Sequence, residues 1–243
     1  MSFEQRNEFT EIVRTGALEY GIELQAEAIA AFELYYKTLE QKRKSINLTT
    51  ITGARDVAEL HFLDSLALFR AADFKNVKVI DIGSGAGFPG LPLKIAEPTI
   101  ELTLLDATAK RIEFLSELCD ALDVIATFLH SRAEDAAHKQ ELREGFDIVV
   151  SRAVAELSML SELCLPFLRV DGLFLAMKGV DSADELESAM PAILTLGAQV
   201  VNSIDYLIPG TDITHRVIII KKVSHSPEQY PRRFARIKKA PLA

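Results

Sequence analysis

The chain has 243 residues, 49% hydrophobic and 26% charged, with a formal net charge of −8; this is the composition of a folded globular protein and excludes intrinsic disorder. No run approaches the roughly 18 apolar residues of a membrane span, and Met1-Ser2-Phe3-Glu4-Gln5-Arg6 lacks the basic-then-apolar order of a signal peptide, so a cytoplasmic, non-membrane protein is expected. The negative charge argues against indiscriminate coating of nucleic acid, while Cys119 and Cys164, without a CxxC pair or a histidine cluster, read as reduced packing residues with no metal site in view.

Residues 1–72 have helical spacing, with Phe9, Ile12 and Val13 on one face and an apolar segment from Ile29 through Phe32, Tyr35 and Tyr36 to Leu39. They predict an amino-terminal helical cap, followed by a short linker at 72–76. From Val77 onward, apolar runs alternate with helical stretches, as in a mostly parallel sheet covered on both faces. Strands are predicted at 77–81, 101–106, 125–130, 146–151, 173–178, 200–207 and 217–221, and helices at 91–97, 109–122, 134–143, 156–168 and 182–196, the last stopped by Gly197. Residues 208–215 leave no room for a helix between the last two strands, which are therefore expected to pair antiparallel. The expected units are a cap over 1–72, an α/β domain over 73–223 and a basic tail over 224–243.

The first strand ends in Asp81 and runs into Gly83-Ser84-Gly85-Ala86-Gly87-Phe88-Pro89-Gly90. Glycines without a Cβ let a ligand lie against the backbone, so this turn is expected to hold a nucleotide cofactor. Asp106 ends the second strand, a position from which a carboxylate accepts ribose hydroxyls; its other reading is a cap on the next helix. Gly85-Ala86-Gly87-Phe88-Pro89-Gly90 also satisfies the GxGxxG of NAD-binding proteins, which leaves an NAD-dependent oxidoreductase as the weaker reading. The register Asp81-x-Gly83-x-Gly85-x-Gly87, the terminal hairpin and the lack of a Tyr-x-x-x-Lys favour another class. They match a Rossmann-like class I S-adenosylmethionine-dependent methyltransferase, with a seven-stranded, mostly parallel sheet.

The acceptor chemistry is narrowed by what is missing. Amino-group methylation usually relies on an Asn or Asp, Pro, Pro, Tyr or Phe run after the fourth strand, where this chain has Ser151-Arg152-Ala153-Val154. Methylation at a pyrimidine carbon needs a nucleophilic cysteine, and Cys164, in an apolar helix before Pro166, is poorly placed for that. A ring nitrogen with a free lone pair, such as guanine N7, needs no base and is compatible with the sequence.

Further landmarks are Asn47-Leu48-Thr49, His61-Phe62-Leu63-Asp64-Ser65-Leu66, Lys110-Arg111-Ile112-Glu113-Phe114-Leu115, Arg132-Ala133-Glu134, Met177-Lys178-Gly179 and Tyr230-Pro231-Arg232. With the glycine turn and Ser151-Arg152-Ala153-Val154, they make the chain similar, nearly end to end, to the bacterial ribosomal RNA small-subunit methyltransferase G family, also called glucose-inhibited division protein B. The resemblance implies N7 methylation of one guanine in 16S ribosomal RNA, free or in a small-subunit assembly intermediate, with S-adenosylmethionine as donor. A non-catalytic RNA-binding or assembly factor that keeps the cofactor-binding fold is the alternative, and a monomer is expected. The resemblance also places cofactor contacts on Gly83, Phe88, Ala133, Glu134 and Arg152, to which the loop and ribose arguments add Gly85, Gly87 and Asp106. Glu134 is also a residue that favours a helix amino terminus, and Arg152 also reads as an ion-pair partner of Asp147 or Glu134. Arg152, Lys178 and His61 are the catalytic candidates, weighed against a surface lysine and a satisfied helix histidine.

Residues 221–243 carry seven basic residues against Glu228, a local charge of +6 that leaves −14 for the rest. A second basic cluster is Lys37, Lys42, Arg43 and Lys44. Flanking a cofactor domain, the clusters favour a polyanionic partner, and Arg232, Arg233, Arg236, Lys238 and Lys239 are the expected RNA contacts. The family commonly follows Tyr-Pro-Arg with a glycine-containing basic segment. Here Arg233-Phe234-Ala235-Arg236-Ile237-Lys238-Lys239 keeps the charge and loses the glycine, which favours electrostatic contact over base reading. Phe88, Phe62 and Tyr230 are candidates to stack on the target base.

Overall fold

The computed structural model describes residues 3–152 and 155–242, apart from the side chains of residues 3 and 44. Ala153 and Val154 of the motif after the fourth strand, and the Lys44 side chain of the second basic cluster, lie outside the described residues.

Seven strands form one sheet: β1 (Lys78–Ile82), β2 (Glu101–Asp106), β3 (Thr127–His130), β4 (Phe146–Arg152), β5 (Leu168–Gly179), β6 (Ala198–Leu207) and β7 (Thr214–Lys222). Their spatial order is β3-β2-β1-β4-β5-β7-β6. The first five run parallel, and β7 enters antiparallel between β5 and β6. The order reverses between β1 and β4, and the crevice outside the strand ends at such a reversal is where open α/β sheets bind ligands.

Helices α1 (Phe3–Glu19) and α2 (Ala26–Ile46) open the cap. A helical run at 54–70 completes it: α3 (Ala54–Val57), a π-helical turn Ala58–Leu63, α4 (Asp64–Leu66) and a 3-10 turn Ala67–Arg70. The sheet faces alternate residue by residue, as strand geometry requires. Val79, Ile148, Val150, Leu175, Met177, Val217 and Ile219 share one core with cap residues such as Phe9, Tyr35 and Phe62. Ile80, Val149, Phe174, Ala176, Ile218 and Ile220 pack on the other face. The partners there are α8 (Leu157–Cys164) and α9 (Ala183–Thr195). The cap is thus part of the main core, and the expected linker is anchored by Phe74, fully buried and packed edge-on against Phe69.

The remaining helices are α5 (Gly90–Ala96), α6 (Ala109–Leu122), α7 (Ala133–Ala136) and α10 (Phe234–Lys239). Two predicted helices shrink. The one expected over 134–143 survives only as α7, because after Ala136 and Ala137 the residues 138–141 are all exposed and supply no apolar face to hold a short helix. The one expected over 156–168 ends at Cys164, where Pro166 lacks the N–H that would continue it and a 3-10 turn leads into β5 five residues earlier than expected. The basic tail docks on the second core: Tyr230 packs there, Ile237 is fully buried, and Arg143 Nη1 donates to the Tyr230 carbonyl at 2.8 Å.

Candidate active site

The cofactor side of the edge is built largely from backbone. Gly83, Gly85 and Gly87 have φ of 75°, 56° and 104°, the left-handed region that disfavours any Cβ. The turn is pinned to β2, with Gly83 N–H and Ser84 N–H donating to the Leu105 carbonyl at 2.8 and 3.0 Å and Gly85 N–H to Asp106 Oδ2 at 3.0 Å. Gly83 and Gly85 are partly exposed, whereas Gly87 and Gly90 are buried. A Cβ on Gly87 would meet the Tyr35 hydroxyl at 2.5 Å, and one on Gly90 would meet Asp81 Oδ2 at 2.8 Å. The glycines that face outward therefore belong to the register starting at Asp81, and the last two of the NAD-type register are packing glycines.

Asp81 lies beneath the turn, fully buried, with Oδ2 accepting the Gly90 N–H at 2.8 Å and Oδ1 unpartnered. Burial raises its pKa to about 7, against the Gly90 hydrogen bond and the Arg152 charge. Asp106 is buried too, and both its oxygens are engaged: Oδ1 accepts Thr108 N–H, and Oδ2 accepts Gly85 N–H and lies 3.4 Å from Arg111. Its observed work is to fasten the turn and the start of α6. Ala133 and Glu134 form the partly exposed first turn of α7, just beyond β3.

The other half of the edge is a network of side chains. Arg152, on the cap-facing parity of β4 with Val150 and Ile148, donates through Nη1 to the Leu60 carbonyl and Asp64 Oδ2, both at 2.9 Å, and through Nη2 to His61 Nδ1 at 2.9 Å. The ion-pair partner is therefore Asp64 of the cap, while Asp147 bonds Arg169 and the Lys78 N–H instead. Arginine only donates, so His61 Nδ1 accepts and its proton sits on Nε2, which donates to Thr49 Oγ1 at 2.8 Å. Burial and then the Arg152 charge push the His61 pKa down to about 3. A neutral ring with both nitrogens used is no general base.

Asp64, 1% exposed, gathers three donors: Arg152, the Tyr206 hydroxyl at 2.7 Å and His215 Nδ1 at 2.8 Å. Burial pushes its pKa up, but the His215 hydrogen bond and the Arg152 charge outweigh it, and the net shift is downward. The hydrogen bond to Asp64, against burial, raises the His215 pKa. Neither Tyr206 nor His215 stands out in the sequence. His215 is polar and precedes the apolar run of β7, so it reads as loop, yet pairing with Gly179 draws it into the strand.

Phe88 lies under this network. Its ring stacks between Tyr35 and His61, with centroids at 5.1 and 4.5 Å, meets Phe62 edge-on and carries the Arg152 guanidinium 5.2 Å above it. Phe88 and Phe62 are buried, so they join the cofactor turn to the cap and present no free face to a ligand. Leu60, His61, Asp64, Arg152, Met177 and His215 line a cavity of about 500 Å³ beside the turn.

Lys178 does not turn its ammonium to this network. It falls on the opposite strand parity, where Nζ bonds the Ala155 carbonyl at 2.6 Å and Glu185 of α9 at 2.5 Å. Arg232 is likewise engaged: its guanidinium grips fully buried Glu162 through Nε and Nη2 at 2.8 and 2.6 Å. Arg233, Arg236, Lys238 and Lys239 remain exposed. In the second basic cluster, Lys42 pairs with Glu117 and Arg43 with Glu40. Both cysteines are buried and unpaired, and burial raises their thiol pKa, that of Cys119 to about 12, so neither is an activated nucleophile.

A glycine turn preceded by an acidic residue at the end of β1, and a 3-2-1-4-5-7-6 sheet whose order reverses beside it, define the class I S-adenosylmethionine-dependent methyltransferases. The StiE O-MT structure superimposes with a TM-score of 0.54 over 77% of this chain and 83% of its own, a likeness of fold alone at 14% identity. Residues 28–208 match the family model described as rRNA small subunit methyltransferase G, GidB. The chain is 41% identical over 238 residues to the ribosomal RNA small subunit methyltransferase G of Clostridium perfringens (strain SM101 / Type A), covering 97% of this chain and 99% of that one. It is 41% identical over 230 residues to that of Bacillus subtilis (strain 168), covering 94% and 96%. The chain belongs to the rRNA small subunit methyltransferase G family and is a methyltransferase.

Proposed function

We propose that this chain methylates N7 of one guanine in 16S ribosomal RNA, with S-adenosylmethionine as the donor. When bound, that cofactor supplies an electrophilic methyl group on a sulfonium. The outward-facing backbone of Gly83 and Gly85, with the first turn of α7 at Ala133 and Glu134, suits its uncharged and amino-acid portions, and the remaining lone pair on Asp106 Oδ1 suits a ribose hydroxyl.

The observation that carries the reading is a cavity beside the turn in which His61, Asp64, Arg152 and Lys178 are already paired with neighbouring groups. His61 has both nitrogens engaged, Asp64 is held ionised by three donors, and the cysteines are buried away from it. His61 and Asp64 offer no base to an acceptor that must lose a proton, and the Asp64 hydrogen bond that raises the His215 pKa biases that ring toward its protonated, donating form. Guanine N7 attacks with its own lone pair, and the cavity's tasks reduce to orienting the base and excluding water. The exposed cations Arg233, Arg236, Lys238 and Lys239 supply electrostatic contact to the RNA backbone.

The test is methyl transfer from labelled S-adenosylmethionine to small-subunit RNA from cells lacking the gene, followed by mapping of the modified base. Label at one guanine N7 is expected. No transfer to RNA, subunits or assembly intermediates, despite cofactor binding, would move the chain to the assembly-factor reading.

A further inference from the structure

β7 brings one more polar side chain into the cavity, from the far side of β5. His215 is about one-third exposed and shares strand parity with Val217 and Ile219, which face the cap. It sits opposite Gly179, at the carboxyl edge, because β7 runs antiparallel to β5 and begins where β5 ends. Its Nδ1 lies 2.8 Å from Asp64 Oδ1. An ionised carboxylate only accepts, so Nδ1 carries a proton, and the distal Nε2 is left without a protein partner among the described residues. Tyr206 meets the ring edge-on and shares the same carboxylate, so the imidazole is held from behind and from the side.

We propose that His215 reads the acceptor base, its Nε2–H donating to the O6 carbonyl of the guanine whose N7 is methylated. This rests on the guanine reading proposed for the site. On the edge that carries N7, guanine shows O6 as an acceptor where adenine shows an N6 amino donor. A donor fixed at that point accepts guanine and opposes adenine, so discrimination combines a gained hydrogen bond with a donor–donor clash. The ring must carry both protons, and Asp64 favours that form. The groups around it are set: Asp64 ionised, Tyr206 protonated, His61 neutral, Arg152 bonded to Asp64 and Lys178 paired with Glu185. His215 is the group among them whose titration the Asp64 hydrogen bond moves upward from the ordinary histidine range.

Methyl transfer to small-subunit RNA is followed from about pH 6 to about pH 9 for the wild-type chain, His215→Arg and His215→Ala. Cofactor affinity and melting temperature are measured alongside. Wild-type kcat/KM is expected to fall as pH rises through the His215 titration, and His215→Arg, a permanent donor, to flatten that fall. His215→Ala should lower kcat/KM roughly 10- to 100-fold, the loss of one charge-assisted hydrogen bond, with cofactor affinity unchanged. Three results would overturn the inference alone: guanine methylation within about twofold of wild type in His215→Ala, an unaltered pH profile in His215→Arg, or a loss that merely tracks melting temperature. A wild-type chain that methylates some other acceptor would overturn the guanine reading and this one together.

Discussion

Between β1 and β3 the carboxyl edge is made largely of backbone, and Gly85 and the Asp106 that holds it lie 21 positions apart. Between β4 and β7 it is made of side chains, and Asp64 and the His215 that it holds lie 151 positions apart. The first half depends on a few conformations that only glycine adopts readily. The second depends on every member of a buried charge network being present, because a buried ion left without its partner costs more than the pair contributes. The two halves should therefore fail differently.

The largest expected effect is in the network. Asp64→Ala removes the shared acceptor of Arg152, Tyr206 and His215 and should destabilise the protein by about 3–5 kcal/mol in denaturant unfolding, with near-complete loss of methyl transfer. A loss below about 1 kcal/mol would mean that the network does not tie the cap to the sheet. Arg152→Ala should likewise reduce stability and turnover together, since the guanidinium bonds three cap residues.

Gly83→Asp probes the other half. A residue with a Cβ at φ 75° is strained by about 1–2 kcal/mol, so the fold should survive while calorimetric S-adenosylmethionine binding disappears. Unchanged affinity would remove the turn from the cofactor site.

The tail separates affinity for RNA from both halves. Replacing Arg233, Arg236, Lys238 and Lys239 with alanine should reduce the slope of log RNA affinity against log salt by about 0.7 for each phosphate no longer neutralised, without changing cofactor binding. Arg232→Ala should instead lower the melting temperature, because it strands Glu162 in the core. Equal behaviour of the two variants would contradict the division of labour seen in the structure.

The smallest effect is at Asp81. A carboxyl whose folded pKa is raised from 3.8 to about 7 contributes stability that is full below its ordinary range and lost as pH rises through about 7. Asp81→Asn keeps an acceptor for Gly90 N–H and removes the buried charge. Its melting-temperature advantage over wild type should grow between about pH 5 and about pH 8. A constant difference would show that Asp81 is not protonated in the folded chain.

All seven strands are legible in order, because β-branched runs bounded by glycines and charges leave little choice of element. Their ends are less so. β5 starts at Leu168 and β7 at Thr214, both outside the apolar runs, because pairing with a neighbouring strand decides where a strand stops. Lys178 and Arg232 read as free cations in the sequence, which shows charge and not its partner. Glu185 and Glu162, 7 and 70 positions away, meet them only in the folded chain.

The sequence by itself determined the α/β class, the glycine turn with its acidic neighbour and the family, since each rests on residues close together along the chain or on motifs in a set order. The tertiary structure decided what the charged side chains do. Strand parity turned Arg152 and His215 toward the cap and Lys178 away from it, and the antiparallel entry of β7 set His215 beside Asp64. The physical reason is range: backbone conformation answers to local sterics, whereas the pairing of buried charges depends on which surfaces the fold brings into contact.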